Sequence, residues 1–166
     1  EKIGTHGFRI GIGWQGNPHG PIDKGRSIPL SKFRTLAEVP GSRLISLQKT
    51  HGLDQLANAP AGVNVETLTA FDEGSDAFVD TAAIMQNLDL VVTSDTAIAH
   101  LAGALGRPCW LALKHIPDWR WMVGRGDSPW YPSLRLFRQP TRGDWDSVFA
   151  AMADVLRPLI QRNNAS

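Results

Sequence analysis

The residues best suited to chemistry stand together at Ser94-Asp95-Thr96-Ala97, a polar turn that ends the apolar run Leu90-Val91-Val92 and precedes a string of small residues. Serine, aspartate and threonine side chains accept hydrogen bonds from the first N–H groups of a helix, so any of the three can cap one here. A helix starting at the carboxyl end of a parallel strand aims its N–H groups and positive dipole end into the crevice where open α/β sheets bind ligands. The chemistry on offer is anion binding. The slim residues Ala97, Ala99, Ala102, Gly103 and Ala104 leave room for a phosphate at the first turn and for the sheet behind it.

Further candidates sit where other strands should end. The polar loop 17–27 carries Asn17, His19, Asp23, Lys24, Arg26 and Ser27. Arg26 is the strongest of them, because a planar guanidinium there could pair with a phosphate brought to Thr96. Gln48 closes the second strand and could hydrogen-bond a ligand edge, or equally face water as a turn residue. His115 and Pro117 follow a later strand and could line the same crevice.

Other patterns lead away from chemistry. Gly11-Ile12-Gly13-Trp14-Gln15-Gly16 spells the dinucleotide fingerprint, but Asn17-Pro18-His19-Gly20-Pro21 cannot open the helix that fingerprint needs. No acidic residue ends the second strand either, where Gln48 and Lys49 stand. Asp72, Glu73, Asp76 and Asp80 read as charges at a helix entrance, which the dipole favours. A phosphatase built on Asp95-Thr96 would need a second aspartate where Ala97 stands. His6, His19, His51, His100 and His115 are scattered, which argues against a dedicated metal site. Cys109, the only cysteine, lies in an apolar run and reads as a core residue.

The elements that must position these residues follow from periodicity. Strands are expected over 8–14, 43–48, 63–68, 88–92, 109–113 and 134–137, and helices over 31–39, 75–87 and 96–105. A weak helical turn is expected at 52–58. Ser75 is the expected cap of the second helix, with Phe78, Val79, Ala82, Ala83 and Met85 on its apolar face. A last helix opens at Asp144 and is ended or kinked at Pro158, with 161–166 frayed. The loop 114–132 is rich in aromatic residues; Trp119, Trp121, Trp130 and Tyr131 suit packing onto the core, or stacking on a base or sugar. Strands alternating with helices predict an α/β, Rossmann-like three-layer sandwich with a mainly parallel sheet.

Composition sets the outer bounds. A chain of 166 residues, 42% hydrophobic, is expected to form one domain, 1–166. A formal charge of +1 argues against a nucleic-acid binder. No apolar run approaches a membrane span and no signal-peptide core is visible, so a cytoplasmic location is the expectation.

With these pieces placed, the chain resembles the carboxyl-terminal half of a GT-B glycosyltransferase, above all bacterial tetratricopeptide-repeat proteins that end in a glycosyltransferase-like domain. The likeness to lipopolysaccharide heptosyltransferases and O-linked N-acetylglucosamine transferases is more distant. The segments that carry it are 13–18 with 26–30, then Ser46-Leu47-Gln48, 88–108, 117–121 and 127–132. The resemblance implies a domain that binds a nucleotide-sugar donor such as a UDP-, GDP- or ADP-sugar. It places the diphosphate on Asp95-Thr96-Ala97, His100 near the ribose, and phosphate neutralisation on Arg26. No metal and no other cofactor is then needed. It also implies upstream partners, an acceptor domain and repeats, without which this half binds donor weakly and turns over little or nothing. The competing expectation is a degenerate transferase-like domain that serves as a docking module.

Overall fold

Strands β4 (Leu90–Ser94) and β5 (Cys109–Leu113) are buried along their whole length, as apolar strands covered on both faces must be. They lie in a six-stranded sheet with β1 (Phe8–Gly13), β2 (Ser42–Ser46), β3 (Val65–Glu66) and β6 (Leu134–Arg138). The order is β3-β2-β1-β4-β5-β6 and every pairing between these strands is parallel, the arrangement of a doubly wound Rossmann-like fold. The computed structural model describes residues 3–19 and 23–164.

Period-two alternation sorts the side chains into two cores. Ile10, Ile12, Leu44, Leu90, Val92 and Trp110 face α1 (Arg34–Ala37) and the long α5 (Trp145–Asn164). Ile45, Val91, Cys109, Leu111 and Leu113 face α3 (Val79–Gln86) and α4 (Ala97–Ala104). Burial pushes the Cys109 thiol pKa well up, so it is an apolar core residue and not a nucleophile. The expected α/β three-layer sandwich is the one observed. The weak turn at 52–58 is α2 (Asp54–Ala57). The expected third strand shrinks to two residues because only Val65 and Glu66 pair with β2.

Two helices depart from expectation. Ser75 does not cap α3; the carboxylate of Asp72 does, accepting from Asp80 N at 2.9 Å and from the Thr81 hydroxyl, while Asp72 N donates to Asp80 Oδ2 at 2.7 Å. This reciprocal clasp starts the helix at Val79, after Phe78 in a left-handed conformation (φ 70°). Phe78 and Val79 are exposed, and Thr81 and Met85 are its buried residues, so the expected apolar face is not formed. In α5, Pro158 neither ends the helix nor stops the turns beyond it. Burial of Leu156 and Ile160, about 1.5–3 kcal/mol each, matches or outweighs the ~3 kcal/mol that an interior proline costs. Pro158 also lies on the exposed side of the helix, where the carbonyl it orphans can reach water.

Helix α4 closes as its sequence demands. Gly106 takes φ +64°, its N–H reaches Gly103 O at 3.1 Å, and Arg107 N–H reaches Ala102 O at 2.9 Å. Both bonds of a Schellman motif are therefore made.

Candidate functional site

Between the carboxyl ends of β1, β2 and β4 the sheet opens into a cleft of about 510 Å³. This is the point where strand order reverses, with β2 and β3 to one side and β4 to β6 to the other, and open α/β sheets bind ligands there. Its floor is the first turn of α4, Thr96, Ala97 and Ile98. One wall comes from the loop after β1, with Gln15, Gly16, Asn17 and Arg26, and another from the segment after β2, with Gln48, Lys49 and His51. Asp72, Phe78 and Thr81 of the α3 entrance close the far side.

Thr96 occupies the N-cap position of α4, in extended conformation, but makes no capping bond with its side chain. Its hydroxyl instead stands 3.3 Å from Thr93 Oγ1. The expectation of a hydroxyl cap is corrected here. A helix N-terminus without one presents its first N–H groups to whatever enters the cleft. Ser94 Oγ is buried directly behind the turn with no hydrogen-bond partner among the described residues.

Arg26 reaches the cleft because Gly16 has no side chain. A Cβ on Gly16 would stand 2.4 Å from one guanidinium nitrogen and 3.0 Å from its carbon. The guanidinium is held by Asp23, with Nε and Nη2 each 3.3 Å from Oδ1. Asp23 also accepts from Ser27 Oγ at 2.8 Å, so Ser27 supports the arginine's anchor and is not among the residues lining the cleft. Asn17 lines the cleft and accepts from His19 N at 3.0 Å.

Gln48 serves differently from the expected ligand contact. Its Oε1 accepts from Trp14 N at 2.9 Å and Gln15 N at 3.1 Å, and its Nε2 donates to Gln15 O at 2.7 Å. It ties the β1 loop to the end of β2 and thereby shapes the wall it lines. Trp14 is fully buried beneath this loop, its Nε1 donating to Gly52 O at 3.1 Å.

The remaining expected residues are not brought to this cleft. Asp95 and Pro117 line an adjoining recess of about 210 Å³ that shares Arg26 with it. His100, expected near a ribose, points to the aromatic loop: its ring stacks on Trp121 at 5.3 Å, and Nδ1 lies 3.2 Å from Tyr131 Oη. Gly103, one turn on, makes this possible, since a Cβ there would fall 2.4 Å from the Tyr131 ring. His115 turns toward β6, its Nδ1 lying 3.1 Å from Gln139 O. Of the aromatic residues, Trp121 packs as expected, whereas Trp119 and Trp130 are exposed.

Lys49, His51 and Phe78 are cleft residues that sequence reasoning did not single out. Lys49 and His51 follow the carboxyl end of β2 as Gln48 does, so the same rule reaches them. Phe78 carries no such signal, because a clasp formed by Asp72 puts it there. Lys49 Nζ donates to Phe71 O and stands 5.2 Å over the Phe71 ring. Among the described residues no group of three or more His, Cys, Asp or Glu is arranged to hold a metal ion.

Comparison with known proteins matches residues 75–112 to the family described as glycosyltransferase family 9 (heptosyltransferase). That stretch runs from the α3 entrance through β4 and α4 into β5. Protein FlbA of Caulobacter vibrioides is 29% identical over 160 residues, which is 95% of this chain and 26% of that protein. Among solved structures, ADP-heptose lipopolysaccharide heptosyltransferase II of Escherichia coli superposes with a TM-score of 0.66 at 17% identity, over 98% of this chain and 49% of that one. Escherichia coli heptosyltransferase WaaC with ADP-2-deoxy-2-fluoro heptose gives a TM-score of 0.57 at 18% identity, over 95% and 44%. The chain thus spans about a quarter of the length of its relative FlbA and about half of the heptosyltransferase structures, whose fold it shares. No helix of the described residues is long and apolar enough to cross a membrane.

Proposed function

We propose that this chain is the donor-binding half of a glycosyltransferase, holding a nucleoside-diphosphate sugar in the cleft between β1, β2 and β4. The observation that carries the reading is the first turn of α4, which carries no side-chain cap and opens beside Arg26 into a cleft at the switch point. Glycosyl transfer releases a nucleoside diphosphate, and negative charge builds on it as the sugar–oxygen bond breaks. Fixed N–H donors at Thr96 and Ala97 and the guanidinium of Arg26 stabilise that charge without a metal ion. Asn17, Gln48 and Lys49 border the same cleft, and Asp95 and Pro117 border the recess that adjoins it through Arg26. The family match over 75–112 and the heptosyltransferase fold support this reading. In it, an acceptor domain, accompanied by upstream repeats, binds the acceptor and supplies the general base.

A second reading, a transferase-like docking module, draws on the exposed apolar side chains Ile116, Trp119, Val123 and Trp130, which are 59%, 73%, 78% and 53% accessible. Calorimetric titration with ADP, UDP and GDP against the matching monophosphates separates the two. A donor half prefers one diphosphate over its monophosphate, whereas a docking module shows no such preference.

A further inference from the structure

The far end of the same edge carries a second basin, of about 550 Å³, where β5 and β6 end beside the start of α5. Lys24, Lys114 and Arg142 line it with three positive charges, and no carboxylate lines it among the described residues. The acids nearest to Lys24 and Arg142 in sequence are committed elsewhere. Asp144 accepts from Ser147 N at 3.0 Å and Ser147 Oγ at 2.7 Å, and Asp23 holds Arg26 and Ser27. In a chain of net charge +1, such a one-signed hollow is a local feature and not a reflection of composition.

Gln139 adds an independent polar feature at the same place. It is 3% exposed and lines the basin. Its Oε1 accepts from His115 N at 3.2 Å and Gly143 N at 3.1 Å, which identifies the oxygen and leaves Nε2 as the other end of the amide. That Nε2 is buried with no acceptor among the described residues, and native proteins rarely leave such a donor unmatched. The Gln139 carbonyl 3.1 Å from His115 Nδ1 can only accept, so Nδ1 carries the hydrogen and Nε2 is the ring's remaining polar atom. Ile116 and Trp145 give the basin an apolar wall.

We infer that this basin binds an oxyanion, a phosphate or a carboxylate carried on an organic body, as a site separate from the cleft. The recess between the two shares Arg26 with the cleft and Lys114 with the basin, so the three hollows are neighbours along the carboxyl edge. That the oxyanion belongs to the acceptor of the sugar rests on the donor reading of the cleft; the site itself does not.

The test is an amide-resolved NMR titration of the ¹⁵N-labelled 166-residue chain with methyl phosphate, with sodium acetate, and with sodium chloride at equal ionic strength. Saturable shifts at His115, Gln139 and Gly143 with either oxyanion support the site, and the stronger of the two identifies the class. Arg142→Ala and Lys24→Ala, both at exposed positions, should each weaken that response at least roughly tenfold, the loss expected for one charge-assisted contact. Shifts equal to those with chloride, or unchanged in both variants, overturn the inference. Saturation at Thr96 and Ala97 alone overturns it while supporting the donor cleft, so the two proposals fail separately.

Discussion

At the amino edge of the sheet Arg9 grips Asp89 with Nε at 2.9 Å, Nη2 at 2.8 Å and its own backbone N–H at 2.7 Å; at the carboxyl edge Arg26 meets Asp23 through two contacts of 3.3 Å. Arg43 repeats the first pattern, holding Glu66 at 2.7 and 2.8 Å and the carbonyls of Ile3 and His6. Charge-assisted pairs are strongest at 2.7–2.9 Å, so the amino edge has closed its charges on one another. Arg26 keeps a longer, exchangeable grip beside an open cleft. Both arginines are about four-fifths covered, so burial does not make the difference. The contrast teaches that equal charges at the two edges are held differently, closed between strands at one and left beside an open cleft at the other, where the proposed function has Arg26 receive an anion.

The amino edge should yield the largest effect. Asp89→Ala strands a largely covered guanidinium and should cost about 3 kcal/mol in chemical denaturation, while leaving nucleotide affinity unchanged. Burial alone would raise the Asp89 carboxyl pKa, but the hydrogen bonds from Arg9 prevail and hold it below the usual carboxylate range. With the folded value depressed, its contribution is present above the unfolded value, near ~4, and is lost as pH falls through the folded one. Asp89→Asn should therefore flatten the acid limb of the stability curve. An unchanged limb would show that the amino edge is not the lock described above.

Sequence disclosed the parts built locally further than the parts built by distant chain. The β4–α4 turn was legible because what builds it is local, a buried β-branched run and then small residues closed by Gly106, although the expected side-chain cap is not made. Residues whose task depends on distant chain were not. Asp72 clasps α3 from eight residues away and so pre-empts Ser75. Gln48 was placed at the right edge, yet its amide is consumed by a loop 33 residues earlier. His100 lies on the correct helix, but Tyr131, settled over Gly103, draws its ring away from the cleft. Pro158 misled for the opposite reason, since the local rule was sound and tertiary burial overrode it.

At the carboxyl edge, Arg26→Ala should weaken binding of the preferred nucleoside diphosphate by about 2 kcal/mol and shallow its salt dependence. Arg26→Lys should recover little, because an ammonium cannot reproduce the planar guanidinium held against Gly16. Next in size, Ala97→Pro removes a single N–H at the first helical position, where proline is tolerated and where Thr96 is already extended. It should cost about 1 kcal/mol of nucleotide affinity by calorimetry, with little change in melting temperature. Full affinity in both variants would remove the distinction between the edges.

The smallest effect is the most discriminating. Gly16→Ala adds one methyl where a Cβ would stand 2.4 Å from Arg26 Nη2, a flexible side-chain end that can swing aside. The fold should barely register this, within about 0.5 kcal/mol, because Gly16 is partly exposed and lies outside any strand or helix. Nucleotide affinity should nonetheless fall several-fold, since the guanidinium loses the seat that aims it at the α4 N-terminus. Losing stability and affinity together would make Gly16 a packing residue. Losing neither would mean that Arg26 binds anion from any position it can reach, so the glycine seat would have no part in shaping the carboxyl edge. Only affinity lost at constant stability supports a guanidinium held in readiness, and that is the property the closed pairs of the amino edge lack.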